Sequence, residues 1–187
     1  MLHRKKNTGL RLVVGCLFVL STSACSIFTP EEAEMSDSEA CVKLNELIAD
    51  RANNFKQFRR GRNSTSRMVN MMQTWSAERV FPLAKNCQVW EWSTGLTNYF
   101  CSWNESGELQ AKASHDKGVD IVVQCLGKQW QSDFANTKSG GGRTLFYQER
   151  DKTVISIHYF KESRTILESW KTTLYVGDES NLKAALQ

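Results

Sequence analysis

Cys87-Gln-Val-Trp-Glu-Trp92, then Ser93-Thr94-Gly95, then Leu96-Thr-Asn-Tyr-Phe-Cys-Ser-Trp103 is the stretch whose reading decides the fold. Both flanks are rich in aromatic residues, and the three residues between them end in Gly, the usual left-handed last position of a short hairpin loop. If Trp92 faces Leu96, then Val89 faces Tyr99 and Cys87 faces Cys101, so register alone brings these two sulfurs together. Side chains alternate along a strand, so Trp90 and Trp92 share a face. A helix lying over that face is the expectation for them. Left exposed, they would form a protein or carbohydrate contact surface.

Upstream, Ser36-Asp37-Ser38-Glu39 has the spacing of a capping box. Behind it Cys41, Leu44, Leu47, Ile48, Arg51, Ala52 and Phe55 fall on one helical stripe. The pattern predicts a helix of about five turns ending near Arg59-Arg60-Gly61, with Gly61 as a left-handed cap and the arginines at the negative end of the dipole. Lys56, Arg59, Arg60, Arg62 and Arg67 make up one local basic cluster, a candidate docking surface for an acidic partner or for lipid headgroups. The plainer reading is a solvated helix end. Met68 to Leu83 is ambiguous: Met68, Met71, Met72 and Trp75 suit a short helix packed in the core or, as a Met-rich surface, an adaptable binding patch, and Pro82 closes the segment.

Downstream of the turn Asn104-Glu105-Ser106-Gly107, Val119, Val122, Val123, Leu126 and Trp130 keep a helical stripe beside Cys125. His115-Asp116 falls near the start of that helix and is read as a polar helix-start pair, with acid–base chemistry as the competing role. Ser132 to Gly142 reads as a flexible contact loop carrying Lys138 and followed by Arg143, both candidate partner-binding residues. Three strands close the chain: Thr144 to Glu149, Thr153 to Phe160 and Thr165 to Val176. The predicted fold is α+β, a two-layer sandwich of a five-stranded, mainly antiparallel sheet with helices packed on one face, in the order α-ββ-α-βββ. It occupies residues 37–177, and 178–187 form a polar tail or a short terminal helix.

Cys41 and Cys125 are left to join the two helices. Four cysteines allow three pairings, and a pair of helix-to-sheet bridges stays open as an alternative. Each bridge contributes about 2–4 kcal/mol by restricting the unfolded chain.

The chain begins with the basic residues His3, Arg4, Lys5, Lys6 and Arg11, followed by the apolar run Leu12 to Leu20. That run is shorter than the roughly 20 apolar residues of a membrane span and has the layout of an export signal. Thr22-Ser23-Ala24-Cys25 resembles the lipobox of bacterial lipoproteins, with Thr22 where the family usually carries Leu. The resemblance implies cleavage after residue 24, a diacylglycerol on the Cys25 sulfur, and palmitate-type chains that hold the protein to a membrane. Ser26 after the Cys implies sorting to the outer membrane, with the domain facing the periplasm. It also resolves the cysteine count. Cys16 leaves with the signal and Cys25 takes lipid, so Cys41, Cys87, Cys101 and Cys125 remain as an even set for an oxidising compartment. Residues 26–36 form a tether with a reach of about 40 Å.

The whole chain carries 24 Lys+Arg against 20 Asp+Glu, but four of the basic residues lie in the signal. The exported chain is therefore neutral, which argues against a nucleic-acid partner. No catalytic, metal-binding or dinucleotide motif is found, and no cofactor or metal is expected. The expected role is a non-enzymatic module that binds an envelope or periplasmic protein, for example as an immunity or inhibitor protein. The alternatives are an assembly or pilot factor for a secretion complex and, less favoured, a hydrolase built on His115 and Asp116.

Overall fold

The computed structural model describes residues 35–63, 72–138, 140–162, 169–180 and 182. Helix α1, Asp37–Asp50, starts as the capping box requires: the Ser36 hydroxyl accepts from the Glu39 amide at 3.2 Å. It buries Ala40, Leu44 and Leu47. The helix is shorter than its apolar stripe predicts. A single 3-10 turn, Arg51–Asn53, leads into Asn54 and Phe55, both at positive φ (60° and 55°). The Phe55 amide returns to the Asp50 carbonyl at 3.0 Å, and the Asp50 carboxylate accepts the Gln57 amide at 2.9 Å. Phe55 therefore reaches the core from a reversal of the chain.

Eight strands follow in two runs. The first is β1 Arg59–Arg62, β2 Met72–Ala77, β3 Asn86–Trp92 and β4 Thr97–Glu105. After helix α2, Glu108–Cys125, come β5 Gln131–Asn136, β6 Gly142–Gln148, β7 Asp151–Glu162 and β8 Ser169–Asp178. They form one sheet in the order β1-β2-β3-β4-β8-β7-β6-β5, antiparallel at every junction. This corrects the expected five-stranded α-ββ-α-βββ sandwich to a mostly β protein, α-ββββ-α-ββββ. Each half is one helix and one four-stranded meander, and β8 returns along β4 to merge the two meanders.

Of the three unforeseen strands, β1 and β5 lack the alternation that marks a half-buried strand. β1 has four residues, three of them arginine, and all but Arg59 are exposed. In β2 the methionine spacing also suits a helix, but Met72 pairs with Trp92 and Trp75 with Val89. β5, read as a loop, is exposed at every position.

The hairpin keeps the register expected for it. Trp92 donates its amide to Leu96 O at 2.9 Å, Gly95 sits at φ 81°, and Cys87 pairs with Cys101. A disulfide joins those two residues, and a second joins Cys41 of α1 to Cys125 of α2.

Leu44 and Leu47 of α1 and Ile121 and Val122 of α2 enter one cluster with Val89, Tyr99, Cys101, Ile155, Ile157 and Leu174 of the sheet. At Gly118 the helix α2 comes closest to β7: a Cβ there would lie 3.0 Å from the Ile157 Cδ1. The glycine that weakens helix propensity is what permits this approach. Because Val89, Tyr99 and Cys101 face the helices, the alternating Trp90, Trp92 and Phe100 face the other way. The expectation of a helix over Trp90 and Trp92 is thereby overturned. The opposite face has a smaller cluster of its own, Val154, Tyr175 and Leu182. Leu182, within the stretch read as a polar tail, is buried there.

Candidate functional site

The basic residues singled out in the sequence do not form one patch. Arg59 is held by three partners: Glu91 at 2.9 Å, the Asn54 carbonyl at 2.8 Å, and the Trp75 ring, over which its guanidinium lies at 3.9 Å. Arg60 pairs with Glu78, which also takes Lys43 at 2.7 Å. Arg62 is exposed. Arg67 and Cys25 lie outside the described residues. Lys138 follows β5, and Arg143 is on β6, six strand positions from β1 in the sheet order. At about 4.8 Å per strand, that separates the two groups by roughly 29 Å.

His115 stands in the middle of α2, not at its start, and is 3% exposed. Its Nδ1 lies 2.9 Å from the Asp116 Oδ1, and its Nε2 lies 3.1 Å from the Thr144 Oγ1 on β6. The carboxylate makes Nδ1 the donor, and Nε2 and the threonine hydroxyl share the second hydrogen bond. Burial alone would raise the Asp116 pKa, but hydrogen bonds from Lys112 and His115 outweigh it and hold the carboxyl below its usual range. Carboxylate, imidazole and hydroxyl follow one another as in an activated nucleophile. The hydroxyl that would react is itself buried, and Tyr159 and Phe134 pack their rings 5.0 and 5.9 Å from the imidazole. What this arrangement does here is tie α2 to β6 through satisfied buried polar groups.

The face away from the helices offers more to a partner. Trp90 stacks on Phe100 with ring centres 4.8 Å apart and meets Trp92 edge-on at 6.4 Å. Both indole N–H groups are satisfied within the sheet, by Gln88 at 2.7 Å and Asn98 at 3.0 Å. All three aromatic side chains are half-buried. Cross-strand pairing then lines up Ser102, Thr173, His158 and Arg143 over four adjacent strands. His158 stacks on Phe160 at 4.7 Å, and its buried Nε2 has no hydrogen-bond partner among the described residues. Burial, and then the nearby positive charge of Arg143, push its pKa down to about 4. Further along, a cleft of about 630 Å³ opens beside Asp133, Tyr147, Val154 and Glu179. There Tyr147 donates to Asp133 at 3.0 Å, which raises the tyrosine pKa.

Among the described residues, no group of three or more His, Cys, Asp or Glu is placed to hold a metal ion, and no helix is long and apolar enough to cross a membrane. The hairpin was legible in the sequence, but the orientation of its tryptophans was not. That depended on which strand face the helices cover. The chain matches no protein-family model, no curated protein and no solved structure.

Proposed function

We propose that the protein is an outer-membrane lipoprotein, anchored through lipid on Cys25, whose periplasmic domain is a non-enzymatic protein-binding module. The observation that carries this reading is the Trp90–Trp92–Phe100 group, which lies half-buried on the sheet face away from both helices. Its indole N–H groups are satisfied internally and its two strands are clamped by the Cys87–Cys101 bridge. Rings held this way lose little side-chain entropy when a partner covers them. Aromatic anchors of this kind dominate binding energy at protein interfaces. The partner is an envelope protein that offers apolar side chains to the rings, with Ser102 and Arg143 on the same sheet face supplying polar contacts.

The test compares the full-length protein with a Trp90→Ala/Trp92→Ala variant as bait in native envelope extracts. One stoichiometric protein should be retained by the first and lost from the second, with both disulfides formed in each. Truncating an anchor costs about 2 kcal/mol, roughly 30-fold in affinity. A partner held equally by both baits, or no protein partner at all, would overturn the reading.

A further inference from the structure

Among the described residues the sheet has two unpaired edges, β1 and β5, and the sequence treats them differently. β1 carries Arg59, Arg60 and Arg62 and a register shift against β2. Charge and irregularity are the usual guards of a strand edge against pairing with another chain. β5, Gln-Ser-Asp-Phe-Ala-Asn over 131–136, has neither arginine, lysine nor proline, and it runs in unbroken register against β6. All six of its residues are exposed, and Phe134 shows 57% of its surface to solvent.

The direction of its free backbone groups follows from the ladder. Thr137 donates its amide to the Gly141 carbonyl at 3.2 Å, and this pair continues the β5–β6 register. Hydrogen-bonded pairs alternate in an antiparallel ladder. Gln131, Asp133 and Ala135 therefore turn their N–H and C=O groups toward β6, and Ser132, Phe134 and Asn136 turn theirs outward. These three residues are spaced symmetrically about Phe134.

We propose that β5 pairs with β5 of a second copy of this chain, antiparallel about a two-fold axis at Phe134. Ser132 of each copy then faces Asn136 of the other, and Phe134 faces its own counterpart. Every outward N–H and C=O of the three residues is satisfied. Asp133, the only charged residue of the strand, falls opposite Ala135, so no like charges meet. The same construction at β1 would set arginines against arginines. An isologous contact of this kind closes on itself and yields a dimer, not a filament. The eight strands of each copy become one continuous sheet, and the two Phe134 rings cover each other beside β6.

The experiment is a mass determination by light scattering on the full-length protein in detergent, over a dilution series. The wild type is expected at twice the chain mass. Ser132→Pro removes only an outward N–H, and Phe134→Lys sets two ammonium groups together on the axis. Both should halve the mass while keeping both disulfides and the wild-type circular dichroism, with an unfolding midpoint that no longer rises with protein concentration, and Arg60→Ala on the other edge should stay dimeric. A second measurement works in the native envelope. Facing residues of a hydrogen-bonded pair have Cα atoms about 5.5 Å apart, within disulfide range. Phe134→Cys should therefore give a covalent dimer on a non-reducing gel, and Arg60→Cys should not. A wild type that is monomeric throughout, a dimer that survives both β5 variants, or no Phe134→Cys dimer would overturn the proposal.

Discussion

Removing the two disulfides one at a time should reveal unequal contributions in a calculable ratio. Cys41 and Cys125 are 84 residues apart, whereas Cys87 and Cys101 are 14 apart. Loop-closure entropy gives about 4.6 kcal/mol for the first bridge and about 3.0 kcal/mol for the second, a difference of about 1.6 kcal/mol. The short loop lies inside the long one, which trims the larger value by only about 0.2 kcal/mol. Simple replacement would confound this comparison, because Cys101 is fully buried and its loss also costs packing. The clean assay uses two single-bridge variants, Cys87→Ala/Cys101→Ala and Cys41→Ala/Cys125→Ala. Each is unfolded by urea in its oxidised and its reduced form. Within each variant the packing change cancels, and the oxidised-minus-reduced difference reports the remaining bridge. The helix-to-helix bridge should give the larger difference. Equal values, or a larger value for the hairpin bridge, would refute loop closure as the source of the stabilisation.

Three further outcomes are expected. His158 has its pKa held down at about 4 in the folded protein, against 6.5 for the ordinary side chain. The unfolded chain binds the extra proton first, so stability present above pH 6.5 is lost as pH falls toward 4, by up to about 3 kcal/mol. His158→Gln should flatten the urea midpoint over that window; an unchanged profile would contradict the burial of a neutral imidazole. Thr144→Val leaves the buried His115 Nε2 without its hydroxyl and should cost about 1–3 kcal/mol in chemical denaturation. No loss would mean that the contact contributes nothing. Cys25→Ser should abolish incorporation of labelled palmitate and release the protein from the membrane fraction; continued labelling would place the lipid elsewhere.

The hairpin was legible because local signals agree there: alternation on both flanks, a glycine at the left-handed position, and two cysteines at matching register. The capping box at Ser36 was equally local. The end of α1 was misread because Phe55 keeps the helical spacing even though the chain has already reversed at Asn54. At β5 no pattern existed to read, since a strand whose six residues all stay exposed needs no alternation. His115 shows the limit at the level of a site. Its pairing with Asp116 is adjacent in sequence, but its second partner, Thr144, lies 29 residues on and across the helix–sheet interface.

What the amino-acid sequence determined alone is therefore short-range: helix caps, the tight turn, the register of one hairpin and the expectation of export in an oxidised state. These depend on sterics and hydrogen bonds within a few residues. The tertiary structure alone decided that β8 returns to β4, pairing Trp103 with Thr172 and Glu105 with Trp170, and so made two meanders into one sheet. That junction in turn set which face the helices cover, which tryptophans stay open, and which two strands are left as edges. Such choices compare the burial of whole surfaces, and no local stretch of sequence carries that comparison.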